Sequence, residues 1–417
     1  MRGTFRKIIC ISVCLLMIVA SLPATESKAD VIPILKNFKK HGIIYHVEKK
    51  LKGNFGEVSV IGIDDEAVGE DLNNIVIPEL LMKNQIVWNV KFIAPFAFSQ
   101  RHDLKSVVIS GGIEEIGTGA FYECTGLTDI SISNTVNKIG TYAFSGCDKL
   151  KNIKISEENV NFSATNGLLL SKDGTTIISA PGATGEYWIL KGITTIGPAA
   201  FDSNAGITDV WLSTTVTSIE EGAFYNCKNL KSINLKKVEH IGKEAFFGSG
   251  LECINIPETV SKIEDNPFAF CDSLKEITVS KENSKYKAFD NMLFNSSGKK
   301  LICATTADNN TEFPEKVTTV GAYAFAGNKR MEEITFPKKI KKIDECAFML
   351  CTSLKKVRFL SRKVDFADIK DPGSGAFYNT TVNLIVEFPY SEESFTEGSP
   401  EYAIKAHCPN GVLITNY

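Results

Sequence analysis

Apolar positions recur along this chain in two interlocked patterns. The first is a six-residue run that begins with Ile or Val and ends in Phe. It appears as IAPFAF ending at Phe98, IGTGAF at Phe121, IGTYAF at Phe144, IGPAAF at Phe201 and IEEGAF at Phe224. IGKEAF at Phe246, IEDNPF at Phe268, VGAYAF at Phe325 and IDECAF at Phe348 continue it, and a reduced copy, GSGAF, ends at Phe377. The second pattern follows each of these as Leu-x-x-Ile-x-Ile or a close variant. Examples are Leu127, Ile130 and Ile132; Leu150, Ile153 and Ile155; Leu274, Ile277 and Val279; and Leu354, Val357 and Phe359. Alternating β-branched residues predict a short strand at each copy. Proline after several of these (Pro257, Pro337, Pro389) ends the strand, because it has no backbone donor.

Successive Phe residues are 23, 23, 57, 23, 22, 22, 57, 23 and 29 positions apart. A unit of about 23 residues cannot enclose its own apolar side, so units must stack and share one core. That period falls in the leucine-rich-repeat range. The predicted fold is a leucine-rich-repeat solenoid, β-rich, with one parallel strand per coil and about ten coils. Each interval of 57 holds 34 extra residues. The segments starting at Glu158 and Glu282 align without gaps, each with an apolar triplet, a polar glycine turn and a second apolar stretch, which predicts a β-hairpin. The same offset of 124 relates Phe144 to Phe268, Phe201 to Phe325 and Phe224 to Phe348, so the block is a tandem duplication.

Cys124, Cys147, Cys227, Cys271 and Cys351 each stand three residues after the repeat Phe, where other copies hold Asn204, Ser249 or Asn328. A small inward side chain bonded to coil backbone suits that slot, so the thiols read as core packing. Neighbouring coils also bring equivalent thiols near one another, which leaves disulfides as the alternative. No Cys-x-x-Cys pair suggests a metal. Cys253 falls on the outward side of its strand, as a reactive thiol, a dimer link or a half-covered residue.

Formal charge is −3 with 46 basic and 49 acidic side chains, too balanced for a nucleic-acid binder. Residues 1–29 have the parts of a secretory signal: Arg2, Arg6 and Lys7, an apolar run from Ile8 to Ala20, then Ser27-Lys28-Ala29. No second apolar run is long enough to span a bilayer, so the mature chain is expected outside the membrane. Five histidines show no metal-ligand spacing, and neither G-x-S-x-G, H-E-x-x-H nor a phosphate loop occurs. The chain is expected to be no enzyme and to use no cofactor.

The IGxxAFxxCxxLxxIxI repeat resembles the BspA-like leucine-rich-repeat family over roughly residues 42–390. The opening strands Gly42–Val47, Glu57–Gly62 and Ile75–Pro78 are similar to the family's usual entry segment. The resemblance implies secretion or surface display, and adhesion to a host or microbial surface protein or a glycan. The expected organisation is a signal peptide at 1–29 and a β-rich cap at 30–74. Repeats follow at 75–389 with hairpins near 156–190 and 280–313, then a C-terminal cap at 390–417. Outward strand positions are the candidate binding residues: Asp129, Lys154, Asp209, Trp211, Glu276, Glu333, Lys356 and Arg358. Their charge drifts from acidic to basic along the chain, which would orient a partner. Trp211 either anchors a partner or packs under the first hairpin against Trp188 or Tyr187. The alternative function is a structural element that assembles solenoids end to end or side by side.

Overall fold

The computed structural model describes residues 37–67, 71–369, 374–381, 384–389, 399–408 and 412–416. The expected signal peptide, the start of the expected N-terminal cap and residues 390–398 of the expected C-terminal cap lie outside them.

One coil shows how the sequence closes on itself. The short strand Glu115–Ile116 pairs in parallel with Lys138–Ile139 of the next coil. At the following turn the Phe121 amide donates to the Ala143 carbonyl, 2.9 Å away. The long strand Asp129–Ile132 then pairs in register with Asn152–Ile155. This coil is thus hydrogen-bonded to the next on three sides, and its repeat apolar side chains point between them. Ile116, Phe121, Cys124, Leu127, Ile130 and Val136 are all at most 1% exposed. The turn demands two left-handed residues, one two positions before the Phe and one two positions after it. Gly119 (φ 60°) and Glu123 (φ 54°) hold these places in this coil, and Tyr142 (φ 62°) and Gly146 (φ 70°) in the next. Non-glycine residues there cost roughly 1–2 kcal/mol each, which the stacking around them must offset. Gly140 has a steric reason of its own: a Cβ there would lie 2.4 Å from the Thr118 amide nitrogen of the preceding coil.

The phenyl rings stack along the core in three runs. Phe98, Phe121 and Phe144 form the first, with centroids 5.1 and 5.6 Å apart. Phe201, Phe224, Phe246 and Phe268 form the second, at 4.9, 5.4 and 5.6 Å. Phe325, Phe348 and Phe377 form the third, at 4.7 and 4.8 Å. Such offset pairs add about 0.5–1.5 kcal/mol beyond their burial.

The solenoid has about 12 turns, not ten. The two extra turns lie inside the long intervals and carry alanine where the Phe belongs. The Ala180 amide donates to the Ala200 carbonyl and Ala304 to Ala324, as a repeat Phe does in its own coil. A ring from elsewhere compensates in each. Tyr187 meets Phe201 edge-on at 5.9 Å, and Phe313 meets Phe325 at 6.0 Å. A search for Phe misses these turns because the ring arrives from a different position.

Both hairpins are present. Leu168–Ser171 pairs antiparallel with Thr176–Ser179 and Met292–Asn295 with Lys300–Cys303, as expected, and a further antiparallel strand, Phe162–Thr165 or Tyr286–Phe289, precedes each. The outgoing strands, Thr176–Ser179 and Lys300–Cys303, then join the short-strand ladder of the solenoid. Both strand ladders stop at the coil before each hairpin and restart after it, and the long-strand ladder breaks once more between Ser232–Asn234 and Cys253–Ile256. At the N-terminal side, Ile43–Lys50 and Phe55–Ile63 pair antiparallel, and the latter runs parallel to Ile86–Ile93 at the start of the ladder. At the other side, Leu384–Phe388 and Val412–Asn416 extend the long-strand ladder. A helix, Pro400–His407, packs against the last short strand, Asp365–Phe366, and buries Ile404.

Candidate binding face

Alternation along each long strand sends one set of side chains into the core and the other outward. All eight expected binding residues occupy outward positions, but the ladder breaks divide them among four sheets. Asp129 and Lys154 belong to the first, Asp209 and Trp211 to the second, and Glu276 to the third. Glu333, Lys356 and Arg358 share the fourth.

Their availability differs. Lys154, Glu276 and Glu333 stand exposed. Asp129 accepts from Asn152 Nδ2 at 2.8 Å and from Thr128 Oγ1 at 2.7 Å. Asp209 accepts from Ser232 Oγ at 2.5 Å. Lys356 and Arg358 both close on Glu387, at 2.8 and 2.6 Å. Burial acts to raise the Glu387 pKa, but the two cations outweigh it and hold the carboxyl below its usual range. The basic end of the expected gradient is therefore half neutralised. Glu387 escaped notice because its strand follows the degraded GSGAF copy, although Leu384, Val386 and Phe388 alternate inward around it.

The second sheet holds the aromatic feature. Gly185–Ile189 forms a strand that pairs in parallel with Ile207–Leu212 and places Trp188 directly beside Trp211. The indoles stack at 5.4 Å with 19° between planes. Trp188 is 61% exposed, whereas Trp211 is half-buried against it. Leu190, just past the strand, is also exposed. Trp188 is thus the more accessible of the pair. The sequence signal was an offset of 23 between Tyr187-Trp188-Ile189 and Val210-Trp211-Leu212, hidden inside a segment read as hairpin alone.

None of the nine described cysteines forms a disulfide, and all but Cys253 are buried. The repeat thiols donate across coils: Cys124 to the Phe98 carbonyl at 3.0 Å, Cys147 to Phe121 at 3.0 Å, Cys227 to Phe201 at 2.9 Å and Cys351 to Phe325 at 3.0 Å. Burial pushes the Cys271 thiol up to about 12, so it keeps the proton it donates to Phe246.

One arrangement of catalytic residue types lies on the short-strand ladder. His240 Nδ1 is 3.2 Å from Ser218 Oγ, and His240 Nε2 is 3.2 Å from Glu264 Oε1. The Ser218 hydroxyl, however, donates to Glu220. Its proton is therefore directed at a carboxylate and not at the imidazole, which is the wrong sense for a nucleophile and its base. Among the described residues no group of three His, Cys, Asp or Glu side chains could hold a metal ion, and no helix is long and apolar enough to cross a membrane.

The protein is similar in fold to a leucine-rich cell surface protein from Faecalibacterium prausnitzii. The two are 20% identical, over 89% of this chain and 97% of that one, with a TM-score of 0.39. The pneumococcal vaccine antigen PcpA is 16% identical, over 93% of this chain and all of that one, with a TM-score of 0.40. No curated protein matches the chain. The sequence pattern of the BspA type leucine-rich repeat region matches in six copies, over residues 72–166, 194–308 and 303–399. This covers well over half of the chain, which therefore belongs to the BspA-type leucine-rich repeat family.

Proposed function

We propose that the protein is a secreted or surface-displayed binding protein that recognises a protein or glycan through the outward face of its long strands. The observation that carries this reading is the Trp188–Trp211 stack. An indole 61% exposed, braced on one side by a second indole, presents a rigid apolar plane. A partner that covers it gains burial without ordering a flexible side chain. Asp209 and Glu186 on the same two strands supply hydrogen-bond acceptors beside it. Residues 1–29 support export. The reading is non-catalytic: the repeat is a scaffold, and its sites are built from whatever stands outward on it.

The test is the purified protein on an array of host-matrix proteins and glycans, beside Trp188→Ala. Binding that falls at least tenfold in the variant, with unfolding unchanged, supports the reading. Equal binding by the two proteins refutes the role of this face.

Assembly is the competing reading. In its favour, Asn74–Ile77 and Val412–Asn416 each end a path of the long-strand ladder with one paired neighbour. Light scattering across a concentration series separates the two, since a strict monomer excludes assembly.

A further inference from the structure

The second hairpin gathers positive charge. Its strand Tyr286–Phe289 carries Lys287, Lys299 and Lys300 lead into the outgoing strand, and Lys316 lies in the turn before Thr319–Val320. Lys287 and Lys316 converge over Gly298, where an added Cβ would lie 2.9 Å from Lys287 Cε and 2.5 Å from Lys316 Cε. The Lys287 ammonium donates to the Ser296 carbonyl, and burial and the Lys316 ammonium push its pKa below the ordinary lysine value. The short-strand ladder extends this face. Lys300 pairs with Thr319 and Thr319 with Lys342, which spaces the two lysines by two strands, about 10 Å. In the adjacent row the Thr318 amide donates to the Lys299 carbonyl at 2.9 Å, and the Lys341 amide to the Thr318 carbonyl at 2.8 Å. Lys316 and Lys339 hold the same place in successive turns. Each precedes an amide that donates to a proline carbonyl, Val317 to Pro314 at 3.0 Å and Ile340 to Pro337 at 3.1 Å. Among the described residues no carboxylate pairs with Lys287, Lys299, Lys300, Lys316, Lys339 or Lys341, whereas Asp344 holds Lys342 at 2.7 Å.

The duplication supplies an internal comparison. Residues 124 positions before these six lysines are Ser163, Thr175, Thr176, Gly192, Thr215 and Thr217. One exchange runs the other way, with Lys191 in the place of Glu315. Both copies build the same hairpin and feed it into the same kind of ladder, so the fold does not require the lysines. Like charges brought together repel, and the convergence of Lys287 on Lys316 needs another reason.

We propose that this face binds a linear sulfated polysaccharide, with sulfate groups seated at the Lys287–Lys316 pair and along Lys299, Lys339 and Lys341. A concentration of positive charge on a chain of formal charge −3 is a local field that a polyanion reads. A lysine ammonium is a compact point charge with three donors, which suits the oxygens of a sulfate ester. Arginine, whose fork matches carboxylate and phosphate, is not among the six, which disfavours nucleic acid and acidic peptides. Lysines repeated at the spacing of the rungs match a stiff chain that carries charge at regular intervals. The face is built from short strands and their turns, apart from the Trp188 stack on the long strands, so either proposal can fail alone.

Binding of the purified protein to immobilised heparin tests it, with dextran, polyglutamate, duplex DNA and phosphatidylglycerol vesicles as comparators. The expected result is heparin binding that weakens about tenfold or more as salt rises from about 50 to about 200 mM, because bound counterions are released. Lys287→Ser, Lys299→Thr and Lys316→Gly combined install the first copy's own residues. That variant should melt like the parent and bind heparin about tenfold or more weakly. Lys339→Thr with Lys341→Thr, on a different turn, should weaken binding several-fold. Lys105→Ser, Lys151→Ser and Lys231→Ser combined remove three exposed lysines that stand just before long strands, and should leave binding within about twofold of the parent. No heparin binding at about 50 mM salt, parental binding in both hairpin-side variants, or an equal loss in the long-strand variant would each overturn the proposal. So would dextran, polyglutamate, DNA or vesicles bound as tightly as heparin.

Discussion

Asn204 is the sharpest place to test how the coils are joined. It stands in the slot that Cys124, Cys147, Cys227 and Cys351 fill elsewhere, but at the turn that follows the Ala180 turn. A repeat thiol makes one sulfur bond to one carbonyl. Asn204 Nδ2 reaches the carbonyls of Ala180 at 3.2 Å, Pro181 at 2.9 Å and Ala183 at 3.1 Å. Its Oδ1 accepts from the amides of Gly206 at 2.8 Å and Ile207 at 3.0 Å. Two N–H hydrogens cannot satisfy three carbonyls fully, so four bonds are at stake. With about 1 kcal/mol net for each and Asn204 only 1% exposed, Asn204→Ala should cost about 3–5 kcal/mol. Cys227→Ala loses one weak bond and a small apolar group, and should cost about 1–2 kcal/mol. Asn204→Cys should fall between them. Equilibrium urea unfolding followed by circular dichroism measures all three. Because a solenoid is held by nearest-neighbour contacts, Asn204→Ala should also split the transition into two steps. A cost for Asn204→Ala no larger than for Cys227→Ala would refute the reasoning, because the amide would then be no better a tie than a thiol.

Four further outcomes follow from the same geometry. Phe224→Ala removes a ring sandwiched between Phe201 and Phe246 and should cost about 3–5 kcal/mol by urea unfolding. Trp188→Ala, exposed and stacked on one side only, should cost about 1 kcal/mol or less; a loss of several kcal/mol would show packing in place of presentation. Gln100→Gly places glycine at an exposed left-handed residue (φ 62°) and should raise stability by about 1 kcal/mol in thermal melts, so a lower melting temperature would count against the strained turn. Asp202 keeps its proton to about pH 7 when folded but loses it near 3.8 when unfolded. In that window the unfolded state binds fewer protons, so stability falls as pH rises from about 4 to about 7, by an amount on the order of a few kcal/mol, and is level above. Asp202→Asn should flatten this decline, and an unchanged pH profile would refute the assignment.

Much of the fold was legible because the core of a solenoid is local. Each coil places the same residue types at the same spacing, so Ile116, Phe121, Leu127 and Ile130 announce themselves wherever they recur. The hairpins and the offset of 124 were readable for the same reason. What failed was the count of turns, since Ala180 and Ala304 carry no ring and the motif is invisible without one. The binding face was readable only as a list of outward positions. Strand alternation gives direction, but it says nothing about the neighbour across the ladder. That is why Glu387 beside Lys356 and Arg358, Ser232 beside Asp209 and Trp188 beside Trp211 had to be seen in space.

The linear order of side chains was enough to establish a repeating unit, its parallel strands, its inward phenylalanines and the place of its two interruptions. Periodicity in sequence becomes periodicity in space when every unit must hide the same apolar edge. The coordinates alone decided which outward groups are free and which ladder rungs are broken. Those outcomes depend on contacts between coils, across 23 residues where the ladder continues and 57 where a hairpin intervenes. There, one substitution such as Lys341 for the threonine of its duplicate changes the chemistry without changing the turn.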